Sequence, residues 1–464
     1  MNNNRQFTQF SISLLCLAVL GCASSPERSA APDIEAPDVW TTQADISAPK
    51  AWLQDLNSPE LSELIEEALT NNPNLQVAAA RFDQAMAEAR IAGADRLPTA
   101  GLGLNGTRQK INSFGPSSTG GVRFDNYDLS LNLSWELDLW GRLRNRSSAT
   151  IAQIEASEAE FTGARLSLAA QVTKSWLNLI EAQKQLDLTK RTASADAENL
   201  HTIEARFKRG LAQGLEVRQI RTQAALSKAD IEVRKRGYDQ AARSLEALLG
   251  RYPNATESSA ASFPDLKKSI PAGLPSDLLY RRPDLITAER QLAAANKELL
   301  ASKKELLPSI SLTSSGGTNS PEFQDLLDSN FSVWSLGTNL TQPIFQGGRI
   351  VANIARGEAL KDQAAANYRN TVLQAFLEVE STLAAERFLQ REYALLKIAA
   401  DEAIATEALA WRRYRSGTSD LLNYLSSQRS ANSAKSRLLT LQSLLLQNRI
   451  DLYLALGGPF QIES

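Results

Sequence analysis

The stretch NYDLSLNLSWELDLWGR, from Asn126 to Arg142, alternates between two kinds of side chain. From Tyr127 to Leu139 every odd position is apolar or aromatic, and every even position is polar or acidic. Period-two alternation indicates a β-strand with two unlike faces, because successive side chains of a strand point to opposite sides. The run is 13 residues long, and a tilted strand needs about 9–11 residues to cross a bilayer. For this segment alone, a half-buried strand of a soluble sheet is the alternative.

The N-terminus resembles a bacterial export signal that ends in a site for lipid attachment. The apolar run Ile12–Leu20 is too short to span a membrane as a mature helix. The sequence VLGC ends at Cys22 and resembles a lipobox, so cleavage before Cys22 would leave a cysteine for acylation, for example with palmitate. A chance cysteine at this place is the alternative. We predict a signal peptide over residues 1–21 and a lipid-anchored linker over residues 22–57.

The chain contains one structural unit written twice. NNPNLQVAAARFDQ, which includes Pro73, matches RRPDLITAERQLAA, which includes Pro283. Further on, RFKRG and RYRSG match, and their glycines Gly210 and Gly417 lie 207 positions apart. An internal repeat is the primary guide to architecture. Each unit predicts a helix that begins at proline, a pair of strands, and two longer helices that meet at a glycine.

The predicted helices after the strands are very long. They run from about Arg142 to Phe207 and from about Arg349 to Tyr414, and at 1.5 Å per residue such a helix spans about 100 Å. The predicted fold class is therefore mainly α-helical with transmembrane β-structure, from a duplicated unit with four strands per chain. The predicted boundaries are 58–250 for the first repeat with a hairpin over 99–139, 251–276 for the inter-repeat segment, 277–457 for the second repeat with a hairpin over 309–345, and 458–464 for a C-terminal tail.

Four strands cannot close a membrane barrel alone, because the smallest closed barrels have about eight strands. Two copies would give a barrel filled by its own side chains, whereas three copies would leave an aqueous lumen. In a trimer the apolar residues would face lipid, with Tyr127 and Trp140 near the two membrane interfaces. Asp128, Glu136 and Asp138 are then predicted to face the water-filled interior.

Several motifs together resemble the outer membrane factor family, the TolC-like channel-tunnels. These are the lipobox, the duplicated Pro-Asx-Leu start, WELDLWGRLR, QPIFQGGRI and YRSGTSDLLNYLSSQRS. Within the family they resemble the NodT/OprM-type efflux lipoproteins. The resemblance implies a homotrimer in the outer membrane, with a 12-stranded barrel, an α-helical periplasmic tunnel and an equatorial region that includes the inter-repeat segment. It also implies a periplasmic adaptor and an inner-membrane resistance-nodulation-division (RND) transporter as partners.

The resemblance further implies a gate at the periplasmic tip, in the helix after the second-repeat glycine. In the family a leucine, an aspartate and an arginine form constricting rings around the threefold axis. By position, the leucine corresponds to Leu422 and the arginine to Arg429, whereas Ser426 stands where the aspartate is usual. Tyr414 matches a family tyrosine that braces neighbouring helices, and Asp420 is a candidate substitute for the missing carboxylate. The alternative is an ordinary coiled-coil turn without a gating role.

Residue types that would indicate an enzyme are scarce. His201 is the one histidine, and it lies in a helical run without a second ligand or a nucleophile at motif spacing. No glycine pair is followed by the Gly-Lys-Ser/Thr of a phosphate-binding loop. The net charge of −2 gives no reason to expect a nucleic-acid partner. We therefore expect no enzymatic activity, cofactor or metal.

Three classes of function predict different features in a chain of this kind. A passive exit duct for drugs or other small toxic compounds fits the amphipathic strands, the long helices and the lipid anchor together. A duct for heavy-metal cations or for type I protein secretion is the alternative within the same fold. A lipid-anchored periplasmic adaptor would also be helical, but long alternating strands in both repeats are not expected of it. An enzyme would concentrate histidine, cysteine or acidic residues in clusters.

Overall fold

The computed structural model describes residues 58–112, 121–258, 262–265 and 278–458, together with residues 37, 40, 41, 56 and 275. The predicted signal peptide, Cys22, and most of the linker and of the C-terminal tail lie outside the described residues. Part of the inter-repeat segment also lies outside them. The elements are α1 (Pro59–Asn71), α2 (Pro73–Ala94), β1 (Thr99–Ile111), β2 (Val122–Leu137), α3 (Arg142–Lys208), α4 (Gly214–Leu248), α5 (Leu278–Arg281), α6 (Pro283–Lys304), β3 (Ser309–Ser320), β4 (Ser332–Thr341), α7 (Arg349–Arg415) and α8 (Leu421–Ala455).

The two halves of the molecule repeat the same helices. Helices α2 and α6 each have 22 residues, α3 and α7 each have 67, and α4 and α8 each have 35. The order and lengths confirm the predicted duplication. At 1.5 Å per residue, α3 and α7 are each about 100 Å long. Within the described part of the chain, none of these helices combines the length and apolar character needed to cross a membrane.

Prolines and glycines set the ends of the helices. Pro73 and Pro283 occupy the first turns of α2 and α6, where the missing N–H costs nothing. Gly210 and Gly417 adopt φ angles of +75° and +76° two residues after the ends of α3 and α7, a conformation that glycine tolerates best. The backbone N–H groups of Leu211 and Thr418 then donate to carbonyls of the preceding turn. The long helices therefore stop and reverse at equivalent places in the two repeats.

The four strands form one antiparallel sheet in the order β1-β2-β3-β4. Strand β2 begins at Val122, five residues before the alternating run, and ends at Leu137 rather than at Leu139 as predicted. Strand β4 ends at Thr341, so the predicted hairpin end at residue 345 is wrong. Pro343 lies beyond the strand, because proline has no N–H to donate to a ladder. Strand β3 extends to Ser320 and includes Gly316 and Gly317.

The main hydrophobic core lies around the middle of α3. Trp176, at 2% exposure, is packed in a cluster with Ile65 of α1, Leu245 of α4 and Ile450 of α8. The indole N–H of Trp176 donates to Glu60 Oε1 at 3.2 Å, so α1 is held against α3 by both apolar and polar contacts. Burial of aromatic and aliphatic side chains of this size stabilises a fold by about 1.5–3 kcal/mol each. This core fixes the helices relative to one another.

A buried carboxylate anchors the start of the inter-repeat segment. Glu246, near the end of α4, accepts backbone N–H bonds from Ala255 and Thr256 at 2.7 Å and from Glu257 at 3.0 Å. Burial raises the pKa of Glu246, but the three N–H bonds outweigh this effect, and the net pKa lies below its ordinary value. Ala255 has a φ of +59°, a left-handed conformation that costs a non-glycine residue about 1–2 kcal/mol. The carboxylate therefore holds a strained turn in place.

Candidate functional site

One face of the sheet is apolar and exposed. Along β2 its residues are Tyr127, Leu129, Leu131, Leu133, Trp135 and Leu137. Leu102 of β1 lies opposite Leu131, and Ile310 of β3 lies opposite Leu137. Leu131 is 49% exposed and Leu102 76% in the single chain. At about 3.3 Å per residue the band from Tyr127 to Leu137 is about 33 Å long, and a tilt of about 45° reduces it to about 23 Å, close to the roughly 25 Å apolar band of membrane barrels.

The opposite face of the sheet carries small and polar side chains. Ser130 Oγ donates to Asp128 Oδ1 at 2.9 Å, and Asn132 Nδ2 donates to Ser130 Oγ at 3.2 Å. The three side chains form a continuous polar row along β2. Gly103 and Gly317 lie on either side of Ser130, which is itself buried in the single chain. The structure thus places Asp128 on the polar face, where the alternation predicted it.

Glu136 and Asp138, the other predicted lumen-facing acids, lie where the sheet joins α3. Glu136 accepts two bonds from Arg142 Nη2, at 2.7 and 2.9 Å, so its charge is balanced within the chain. Asp138 lies beyond the strand, and its two carboxylate oxygens accept the backbone N–H groups of Leu143 at 3.0 Å and Arg144 at 2.7 Å. The placement of Asp138 on a strand is therefore wrong. The first N–H groups of a helix lack partners within it and favour a nearby anion.

The turns α3–α4 and α7–α8 pack together at the end of the molecule that lies far from the sheet. Their contact, here called the tip cluster, is formed by Ile203, Val217, Ile220, Tyr414, Leu421, Tyr424 and Leu425. Tyr414 is 3% exposed, between the Trp411 ring at 5.8 Å and the Arg206 guanidinium at 5.3 Å. Arg206 Nη1 also donates to the carbonyl of Arg415 at 2.9 Å. Tyr414 therefore packs between the two helical hairpins, and burial raises the pKa of its phenol. Its bracing role in the channel stays a prediction.

The predicted gate residues lie on the first turns of α8, next to the tip cluster. Leu422 is 54% exposed, and Ser426 and Arg429 are exposed as well. Asp420 Oδ1 accepts the backbone N–H of Asn423 at 2.8 Å and so caps α8. Among the described residues, neither Asp420 nor any other carboxylate forms an ion pair with Arg429. Asp420 therefore does not replace the missing aspartate within the chain, and the gating role of Leu422, Ser426 and Arg429 stays a prediction.

A buried acid near the tip cluster was not found from the sequence. Asp196 of α3 is fully buried, and its carboxylate accepts Gln428 Nε2 of α8 at 2.7 Å and Gln223 Nε2 of α4 at 3.3 Å. One turn further along α3, Asn199 Nδ2 donates to Tyr424 Oη at 2.6 Å. These bonds join α3, α4 and α8. The signal was available in the spacing of Asp196 with the apolar residues Ala193 and Ile203, because all three share one face of the helix.

Comparison with known proteins agrees with this geometry. A family model described as outer membrane efflux protein matches residues 64–251 and 274–458, and the chain belongs to this family. Outer membrane protein OprJ of Pseudomonas aeruginosa is 34% identical over 461 residues, 97% of this chain and 96% of OprJ. The pyoverdine export outer membrane protein OpmQ of Pseudomonas putida is 31% identical over 97% of both chains. The open-state MtrE outer membrane channel of Neisseria gonorrhoeae superposes with a TM-score of 0.83 at 30% identity, covering 95% of this chain and 99% of MtrE.

These findings confirm the resemblance, the fold class and the location predicted from the sequence. The duplicated helices and the four-stranded sheet are those of an outer membrane efflux channel. The chain is the outer membrane component of an efflux pump. The polar row lies at the sheet end of the chain, and the tip cluster lies at the opposite end, where the long helices turn.

Proposed function

We propose that three copies of the chain close a 12-stranded barrel and act as the passive exit duct of a tripartite efflux pump. The observation that carries the proposal is the open sheet with an exposed apolar face. In the described residues, β1 and β4 each pair on one side only, so every chain offers two unpaired edges. Each unpaired backbone group in lipid costs several kcal/mol. Closure with neighbouring copies removes these edges and places the polar row in the lumen.

The proposed partners rest on the family to which the chain belongs, and the shape of the molecule agrees with them. The sheet is short compared with helices of about 100 Å, so most of the chain extends into the periplasm. There the tip cluster would meet a periplasmic adaptor and, through it, an inner-membrane RND transporter. Acylation of Cys22 would add a lipid anchor. The duct carries drugs or other small toxic compounds and performs no catalysis. The name of OpmQ, a pyoverdine export outer membrane protein, supports a small-molecule cargo.

Two substitutions in neighbouring residues test the barrel. Leu131→Arg places a charge on the apolar face, whereas Asn132→Arg places the same charge on the polar face of the same strand. An arginine that faces lipid at the middle of the bilayer costs about 2–4 kcal/mol per chain. We expect Leu131→Arg to reduce the amount of trimer in the outer membrane strongly and Asn132→Arg to leave it near wild type. Cross-linking of outer membranes, followed by denaturing electrophoresis, measures both.

The proposed cargo is tested by expressing each variant in a host strain that lacks the gene for this protein. Wild type and Asn132→Arg should restore resistance to efflux substrates, and Leu131→Arg should not. Equal amounts of trimer for the two arginine variants would contradict the barrel, as would a wild-type protein found only as a monomer. Trimer in the membrane without any change in drug resistance would leave the barrel intact and contradict the proposed cargo.

A further inference from the structure

The two hairpin tips, which lie at the end of the sheet opposite the helices, carry opposite charges. The first tip has Arg108 and Lys110 on β1 and Arg123 on β2, with Asp125 as its one acid. The second tip is the segment 321–331, PEFQDLLDSNF, which has three acids and neither lysine nor arginine. This segment is called the acidic turn below. Residues 113–120, which connect β1 and β2 in the sequence and lie outside the described residues, include no charged side chain. The first tip is therefore basic and the second acidic.

The acidic turn has a defined structure. It contains two short 3-10 turns, Phe323–Leu327 and Ser329–Phe331. Thr318 Oγ1 donates to the carbonyl of Leu326 at 2.5 Å, and the Phe323 ring meets the Tyr127 ring edge-on at 5.6 Å. These contacts hold the turn against the end of the sheet, so its three carboxylates have fixed positions.

The charges of both tips are largely unbalanced within the chain. In the part of the chain that the structure describes, Glu322, Asp325 and Asp328 form no ion pair, and neither do Lys110 and Arg123. Arg108 pairs with Asp125 at 3.2 Å, with its side chain 77% exposed. Among the described residues the other charges have no oppositely charged partner, so they are available to a neighbouring subunit.

The strand register places the two tips at the same end of the sheet. Gly106 lies opposite Tyr127, and Tyr127 lies opposite Ser320. The acidic turn begins directly after Ser320, and Arg108 and Lys110 follow Gly106 by about 7 and 13 Å along the strand direction. Both charged groups therefore lie at the same rim of the sheet.

Topology then decides which tips become neighbours. Strand β1 carries Arg108 and Lys110 and forms one edge of the sheet, whereas β4 follows the acidic turn and forms the other edge. Closure of the trimer brings β4 of one copy beside β1 of the next, in the antiparallel sense that the sheet already has. We propose that the acidic turn of each subunit docks on the basic end of β1 in the next subunit. The three contacts brace the mouth of the channel against widening; this inference rests on the proposed trimer.

A charge swap with a position control tests the contact. Asp328→Lys and Lys110→Glu each remove one opposite-charge contact, and the double variant restores it in reverse. Arg123→Glu makes the same change of charge at the same tip, but on the inner strand β2. The double variant Asp328→Lys with Arg123→Glu therefore has the net charge of wild type. It lacks the opposite-charge contact between position 328 and position 110 of the next subunit. The measurements are single-channel conductance in planar bilayers at low salt and cellular uptake of vancomycin.

We expect each single variant to raise vancomycin uptake severalfold, the swap with Lys110→Glu to return it to the wild-type level, and the combination with Arg123→Glu to leave it high. At about 1 M salt the Debye length is about 3 Å, so wild type and variants should converge in conductance. Unchanged single variants, additive effects in the swap, or equal rescue by Arg123→Glu would overturn the inference.

Cross-linking keeps the test independent of permeability. A thiol-reactive cross-linker should join subunits that carry both Lys110→Cys and Asp328→Cys, and should not join subunits that carry Arg123→Cys with Asp328→Cys. Amine cross-linking of the wild-type protein reports the trimer separately. A trimer without the cysteine cross-link would overturn the docking of the tips, whereas the absence of any trimer would overturn the proposed function.

Discussion

Removal of the Asp196 carboxylate should loosen the tip. Asp196→Ala removes the acceptor for Gln428, whose side chain is 1% exposed. A buried donor left without a partner costs about 1–3 kcal/mol. If the tip opens by separation of α8 from α3, this free-energy cost destabilises only the closed state. A free-energy difference of that size shifts the opening equilibrium by about 5- to 150-fold.

Glu198→Ala is the matched control, because Glu198 lies two residues further along α3 and is exposed. Surface substitutions of this kind change stability by about 0.5 kcal/mol or less. Open probability in single-channel recordings and uptake of a large antibiotic should both rise in Asp196→Ala and stay near wild type in Glu198→Ala. Indistinguishable recordings for the two variants would refute a role for the buried carboxylate in closure of the tip.

Three further outcomes are expected. Leu422→Ala should raise conductance and antibiotic uptake more than Ser426→Ala, because the apolar ring would carry closure where no carboxylate is available; a larger effect of Ser426→Ala would contradict this. Cys22→Ser should abolish incorporation of labelled palmitate but leave trimer in the outer membrane, since the strands supply membrane affinity; a soluble periplasmic monomer would count against the barrel. Glu246→Gln should make the inter-repeat segment more sensitive to trypsin at neutral pH. Because the pKa of Glu246 is lowered in the folded protein, its stabilisation is complete above the ordinary pKa and is lost as the pH falls, so the difference from wild type should shrink in acid.

The internal repeat, and the prolines and glycines at the ends of its helices, made the helices predictable. The observed ends of α3 and α7 lie within a residue of those expected, because Gly210 and Gly417 provide local stop signals that act without tertiary context. The strands were harder to delimit. Beyond Tyr127, Arg123 and Asp125 occupy the face that leucines occupy further down, so the alternation ends although the hydrogen-bonded ladder continues.

The roles of the site residues were harder to predict, because they depend on hydrogen-bond partners that the linear sequence does not show. Asp138 continues the alternation of β2 by position, yet its carboxylate caps α3. Asp420 sits at a position typical of a helix cap, and this local signal outweighed the expected pairing with Arg429. Asp196 looks like one more polar residue of a solvated helix until α4 and α8 are packed around it.

The unbroken length of α3 gives the molecule a mechanical property. Its main core contact, Trp176, lies about 48 Å from the end of the helix at Lys208. A rigid arm of that length turns a tilt of about 5° at the core into a displacement of about 4 Å at the end, comparable to the width of a side chain. Small angular fluctuations of α3 at the core around Trp176 therefore become larger displacements at the tip cluster. The hydrogen bonds near the tip cluster must resist these displacements. A partner that changes the angle at the middle of the helix could thus move its far end without touching it.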